Sequence, residues 1–159
     1  MAITAEDLTH LRRCVDLART AIDDGDEPFG SVLVSAGGRE LYADRNRVKD
    51  GDATRHPELA IAQWAAAHLS PEERAAATVY TSGEHCPMCA AGHGWVGLGR
   101  IVYAASSTQL AGWLGEWGVP AAPVAALPIA QVVPGAIVEG PVAELEEEIR
   151  ALHRRRFPA

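Results

Sequence analysis

Thr78-Val79-Tyr80-Thr81-Ser82-Gly83-Glu84-His85-Cys86-Pro87-Met88-Cys89 decides how the rest of the chain is read. Its first half, Thr78 to Ser82, is rich in β-branched and aromatic residues and predicts a strand. Its second half opens a helix at Cys86 that runs to the Gly94 to Gly99 region. On that helix Cys86 and Cys89 share a face while Met88 points elsewhere. Upstream, His56-Pro57-Glu58 opens another helix, with Pro57 at the first helical position, where its missing N–H has no intrahelical partner to lose. The thiolates of Cys86 and Cys89 and the imidazole of His56 make a sound zinc set. Such a set leaves one position open, which separates a zinc that acidifies water from a closed structural one. Two thiolates cancel the charge of the ion, so water there needs further help. Both helix N-termini turn positive ends toward the metal, and Glu58 can take the water's proton and redeliver it.

The same residues allow two other readings. A C-x-x-C after a strand and at the head of a helix also fits thiol–disulfide chemistry. A closed structural zinc, with His85 or His93 as fourth ligand, would make the chain a binding module. Redox motifs of this kind normally follow the first strand, whereas here Cys86 stands past the midpoint of the chain, behind an otherwise unexplained H-P-E.

Outward from this center, Leu8, Leu11, Val15, Ala18 and Ile22 recur at helical spacing, with Thr4 as N-cap and Gly25 as stop. Cys14 lies within that helix as a small buried hydrophobe. Ser31 to Ser35 and Arg39 to Arg45 read as a hairpin turning at Gly37-Gly38. Ser70, Pro71 and Glu73 spell a capping box for a short helix. Arg100 to Ala104 is a further strand, Thr108 to Trp117 a helix, and Val119 to Pro128 a loop. Ile129 to Val133 predicts a fifth strand. The last helix, Val142 to Arg155, places its glutamates early and its arginines late, matching the helix dipole. Helices alternating with the later strands predict an α/β fold, and no boundary divides the chain, so a single domain over residues 1–159 is expected. His93 is expected on a helix surface, and His10, His68 and His153 are expected to face solvent.

Composition bounds the partners. The chain carries 14 Lys and Arg against 21 Asp and Glu, a formal charge of -7, which repels phosphate backbones and anionic lipids. Met1 to Thr9 holds Glu6 and Asp7 where a secretion signal would be apolar, so a cytoplasmic protein is expected, and no apolar run approaches the ~20 residues of a membrane span.

With His56-Pro57-Glu58 and Cys86-Pro87-Met88-Cys89, and with Pro28-Phe29-Gly30, Asn46 and Thr81-Ser82-Gly83-Glu84-His85 around them, the sequence resembles the zinc-dependent cytidine deaminase-like superfamily, whose signature is H-x-E followed by P-C-x-x-C. The likeness runs from about Leu8 to Trp117 and is strongest to the nucleobase and tRNA-adenosine branch. One departure is clear, since His85 stands where that family has proline.

The resemblance implies a three-layer cytidine deaminase-like α/β fold around a five-stranded mixed sheet. It implies one zinc per chain held by His56, Cys86 and Cys89, with Glu58 as proton shuttle. Asn46 matches a substrate-binding asparagine, Trp95 an aromatic near the base, and Glu116 an acid that assists proton transfer, with Phe29 a further candidate for the pocket. The implied reaction is hydrolytic deamination of a free base of the guanine, cytosine or aminotriazine type by a homodimer, with tRNA adenosine as the alternative substrate.

Overall fold

The computed structural model describes residues 2–158. Chain order is α1 (Ala5–Asp23), β1 (Gly30–Val34), β2 (Glu40–Arg45), α2 (Pro57–His68), α3 (Pro71–Ala76), β3 (Thr78–Gly83), α4 (Pro87–Val96), β4 (Arg100–Ala105), α5 (Ser107–Glu116), α6 (Ile129–Val132), β5 (Val138–Glu139) and α7 (Ala143–Arg156). Side chains set several of these boundaries. Thr4 and Asp7 close a capping box on α1, and Ser70 with Glu73 closes another on α3. Each box satisfies backbone donors that the first helical turn leaves free.

The strands form one mixed sheet in the order β2-β1-β3-β4-β5. β1 pairs antiparallel with β2 and β3, whereas β3–β4 and β4–β5 are parallel. Side chains alternate between the two faces along each strand, as the pleat requires. Val32, Val34, Tyr80 and Val102 pack with Leu11, Val15 and Ala18 of α1 and Leu145 and Ile149 of α7. Leu33 and Val79 pack on the other face with Ile61, Ala62 and Ala65 of α2. The result is three layers, and every residue of β1 is buried because both faces of that strand are covered.

Gly30 follows from this packing. A Cβ there would lie 2.4 Å from both the Cys14 carbonyl oxygen and Leu17 Cβ, so α1 can approach β1 only over a glycine.

Two expectations need correction here. Ile129 to Val133 is not a strand: α6 occupies it, and the fifth strand is Val138–Glu139, with Val138 paired to Ile101. A short apolar run carries no period that separates strand from helix, and here Ile129 is buried as a core anchor while Glu84 accepts a hydrogen bond from its backbone N–H. His153 does not face solvent. It is buried, with its ring edge-on to Phe29 at 5.0 Å, and burial lowers its pKa to about 4, so it packs as a neutral side chain. No helix among the described residues is long and apolar enough to cross a membrane.

Candidate active site

The zinc candidates stand at helix starts. His56 is the N-cap residue of α2 and Cys86 that of α4, and neither side chain caps its own helix, so imidazole and thiol are free to face another group. α2 and α4 come close because Gly92 leaves room, a Cβ there lying 3.2 Å from Leu59. The two N-termini therefore converge, and Cys89, one turn into α4, adds its thiol from below.

His56 Nδ1 lies 3.5 Å from Cys86 Sγ and 3.6 Å from Cys89 Sγ. All three donor atoms fall within 4.8 Å of one another. A tetrahedral zinc with Zn–S of about 2.3 Å and Zn–N of about 2.0–2.1 Å requires N···S separations of about 3.6 Å, which both His56–Cys pairs meet. Hydrogen bonds from Cys89 and His56 pull the Cys86 thiol down to about 4, and the resulting thiolate holds the His56 imidazole above its ordinary pKa. Cys89 is pushed upward, since a second thiolate beside the first is unfavorable without a cation. These shifts describe a Cys86 thiolate paired with the His56 imidazole beside a neutral Cys89 thiol, and a bound cation would favor the deprotonated form of all three donors.

Among the described residues no other His, Cys or acid joins this cluster. His93, expected on the surface, is buried, and its Nε2 meets the Gly99 carbonyl oxygen at 2.8 Å. His85 is also buried, edge-on to His93 at 5.4 Å, and its ring nitrogens make no hydrogen bond. Neither supplies a fourth ligand, so the donor set is the open one.

Glu58 sits two residues beyond His56 on the first turn of α2 and is only 4% exposed. Burial raises its pKa, and Thr81 Oγ1 donates to its Oε1 at 2.8 Å. A carboxylate with a raised pKa beside a metal site is suited to take up and release protons near neutral pH. Asn46 is buried too. Its Oδ1 accepts from the backbone N–H of Glu27 at 3.3 Å and of Val48 at 3.2 Å, while its Nδ2 has no partner. That fixes which end of the amide is free: Asn46 offers a donor. Asp26 holds the segment in place, accepting from Arg45 Nη1 at 2.7 Å and from the Lys49 N–H at 2.9 Å.

Residues 4–105 match the family described as the cytidine and deoxycytidylate deaminase zinc-binding region, which contains every residue of the cluster. The chain belongs to that family. It is 32% identical over 108 residues to a Schizosaccharomyces pombe protein named "Probable cytosine deaminase", covering 68% of this chain and 65% of that one. It is 35% identical over 93 residues to the tRNA-specific adenosine deaminase of Agrobacterium fabrum, covering 58% and 60%. In both cases the match spans less than two thirds of the relative's length. A solved guanine deaminase from Nitrosomonas europaea superposes with a TM-score of 0.71 over 100% of this chain and 87% of that chain at 20% identity, a likeness of fold.

Against the cytidine deaminase-like pattern, the chain's other candidates scatter. Phe29 is half-buried, filling the space over Gly83 and meeting His153. Trp95 lies near the end of α4 and is 90% exposed. Glu116, the last residue of α5, is exposed and bridged to Arg150 of α7 at 2.7 Å. The hydrogen bonds of its carboxylate go to Arg150 and not to the cluster. A cavity of about 370 Å³ borders His56 on the β2 side, lined by Tyr42, Asp44, Arg47, Arg55 and Leu59; it contains neither Glu58 nor Asn46.

Sequence reasoning assigns no part to Thr81, Ser31 or Glu84. Glu84 accepts from the Ser107 N–H at 2.9 Å and from the Ile129 N–H at 2.9 Å, stapling α5 and α6 to the loop before Cys86. Position in the T-x-x-E-x-C stretch is the available signal for Thr81 and Glu84. For Ser31 there is none, because its partner is a cross-strand neighbor 50 residues away.

Proposed function

We propose that this protein is a zinc-dependent hydrolase that removes the amine of a small flat nitrogen heterocycle as ammonia. The substrate class is a free base or base analogue of the guanine, cytosine or aminotriazine type. The observation that carries this reading is the open three-donor cluster with a buried carboxylate two residues from one donor. A zinc ion held by His56, Cys86 and Cys89 supplies activation of water at neutral pH.

The chain's own residues supply the rest. Glu58 takes a proton from the attacking water and delivers it to a ring nitrogen, then carries the next proton to the departing amine. The C–N bond breaks, a C=O bond replaces it, and the balance is one water consumed for one ammonia released. Asn46 presents its Nδ2 to a ring nitrogen or carbonyl oxygen of the substrate. Phe29 gives the pocket an apolar wall.

A net charge of -7 favors a small uncharged base over a polynucleotide, because nucleic-acid binding draws its affinity from neutralized phosphates and collapses with salt. The test is ammonia release from guanine, cytosine and melamine beside an adenosine-containing anticodon stem-loop. Turnover of a base with an untouched stem-loop is the expected result; the reverse would make this a tRNA deaminase.

Two further assignments belong to the same reading. Glu116 reaches a substrate only by leaving Arg150, so Glu116→Gln decides its role: a kcat loss of more than ~10-fold assigns proton transfer to it, and wild-type kcat withdraws the assignment. The chain pairs as a homodimer that covers Trp95, since an exposed tryptophan is the kind of anchor that interfaces bury. Light scattering at micromolar concentration is expected to report twice the mass of one chain, and a monomer would refute the pairing.

A further inference from the structure

Ser31 and Thr81 are Cα partners in the antiparallel β1–β3 ladder. Both are wholly buried, and Ser31 Oγ donates to Thr81 Oγ1 at 2.8 Å. Thr81 Oγ1 in turn lies 2.8 Å from Glu58 Oε1 and 2.9 Å from the Gly83 carbonyl oxygen. A threonine hydroxyl has one hydrogen, which here goes to the carboxylate or the carbonyl, so Thr81 accepts from Ser31 and Ser31 is the donor of that pair. Ser82 Oγ accepts from the Gly30 N–H at 3.1 Å and fastens the same two strands one step further on.

We propose that Thr81, anchored by Ser31, is the positioning residue that sets the orientation of the Glu58 carboxylate for proton transfer. Glu58 has three side-chain torsions and starts from a helix, whereas the hydroxyl that meets it is carried by the central strands. A contact rooted in a sheet fixes a flexible acid more tightly than a loop contact would. Displacement of about 1 Å at a catalytic group can cost ~100-fold in rate, so this hydrogen bond acts on turnover and not on substrate affinity. The proposal rests on the reading of Glu58 as the proton shuttle. It adds that the shuttle works only when held from β3.

The experiment compares the zinc-loaded wild type with Thr81→Val, Thr81→Ser and Ser31→Ala, using whichever of guanine, cytosine or melamine the wild type deaminates. Thr81→Val keeps the shape and removes the hydroxyl, and its kcat should fall ~10- to 100-fold with KM within about twofold and zinc content unchanged. Thr81→Ser, which restores the hydroxyl, should recover to within about threefold of wild type. Wild-type kcat in Thr81→Val, or a Thr81→Ser variant as impaired as Thr81→Val, would overturn the proposal. If Thr81→Val does not fold, Ser31→Ala carries the test: a kcat loss of a few-fold at constant KM supports the anchor, and no loss refutes it. If the wild type releases ammonia from none of the bases, the proposed function fails. Crystal structures of wild type and Thr81→Ser beside Thr81→Val then decide the positioning claim by themselves. A Glu58 carboxylate that turns away only in Thr81→Val upholds it; one that stays in place refutes it.

Discussion

Glu58→Gln is expected to keep the fold and the zinc and to lose turnover by a factor of about a hundred to ten thousand, the usual contribution of a general acid–base group. The substitution preserves volume in a site that is 4% exposed, and the new amide oxygen can still accept the hydrogen bond that Thr81 now gives to Oε1. What disappears is the capacity to bind and release a proton. Burial raises the pKa of this carboxyl, which brings its two protonation states closer in energy at neutral pH and makes it a better shuttle than an exposed glutamate. Glu58→Ala should lose as much activity and more stability, because it also opens a void. Steady-state kinetics with metal analysis on the same preparation checks both statements. Near-normal kcat in either variant would remove Glu58 from the mechanism.

Cys86→Ala and Cys89→Ala are expected to abolish zinc binding and with it all turnover. Each removes one of the three donors that cluster among the described residues, and the remaining pair cannot hold the ion against solvent. The two variants should differ in stability. Cys89 is fully buried on α4, so Cys89→Ala leaves a small void in the packing between α2 and α4, whereas Cys86 is partly exposed at the helix start and its loss costs the fold less. Zinc content by mass spectrometry and thermal melting of the purified variants measure both effects. A variant that retained one zinc per chain would show that the cluster is not the metal site.

Much of the fold is legible in the sequence because its signals are local. The capping boxes at Thr4 and Ser70 lie within three residues of their partners, and the hairpin at Gly37-Gly38 is marked by its own turn. The candidate zinc donors are legible for a similar reason: Cys86 and Cys89 are three residues apart at the start of one helix, and His56 stands two residues before Glu58. The features that escape sequence reading depend on partners brought together only by the fold. His153 is buried where Phe29 packs on it from the other end of the chain. Ser31, Thr81 and Glu58 come from three different elements, and no spacing rule links them. At Ile129 to Val133 the apolar run does reach the core, but it forms a short helix whose first N–H is held by Glu84 from 45 residues away.

The central claim is that His56, Cys86 and Cys89 hold a zinc ion whose fourth position stays open. Zinc K-edge X-ray absorption on the purified protein tests it directly. The predicted shell has two sulfur scatterers at about 2.3 Å, with one imidazole and one light, solvent-derived ligand each at about 2.0–2.1 Å. A second imidazole or a third sulfur in the shell would contradict the open site, and so would a zinc-free protein with Cys86 and Cys89 joined in a reversible disulfide.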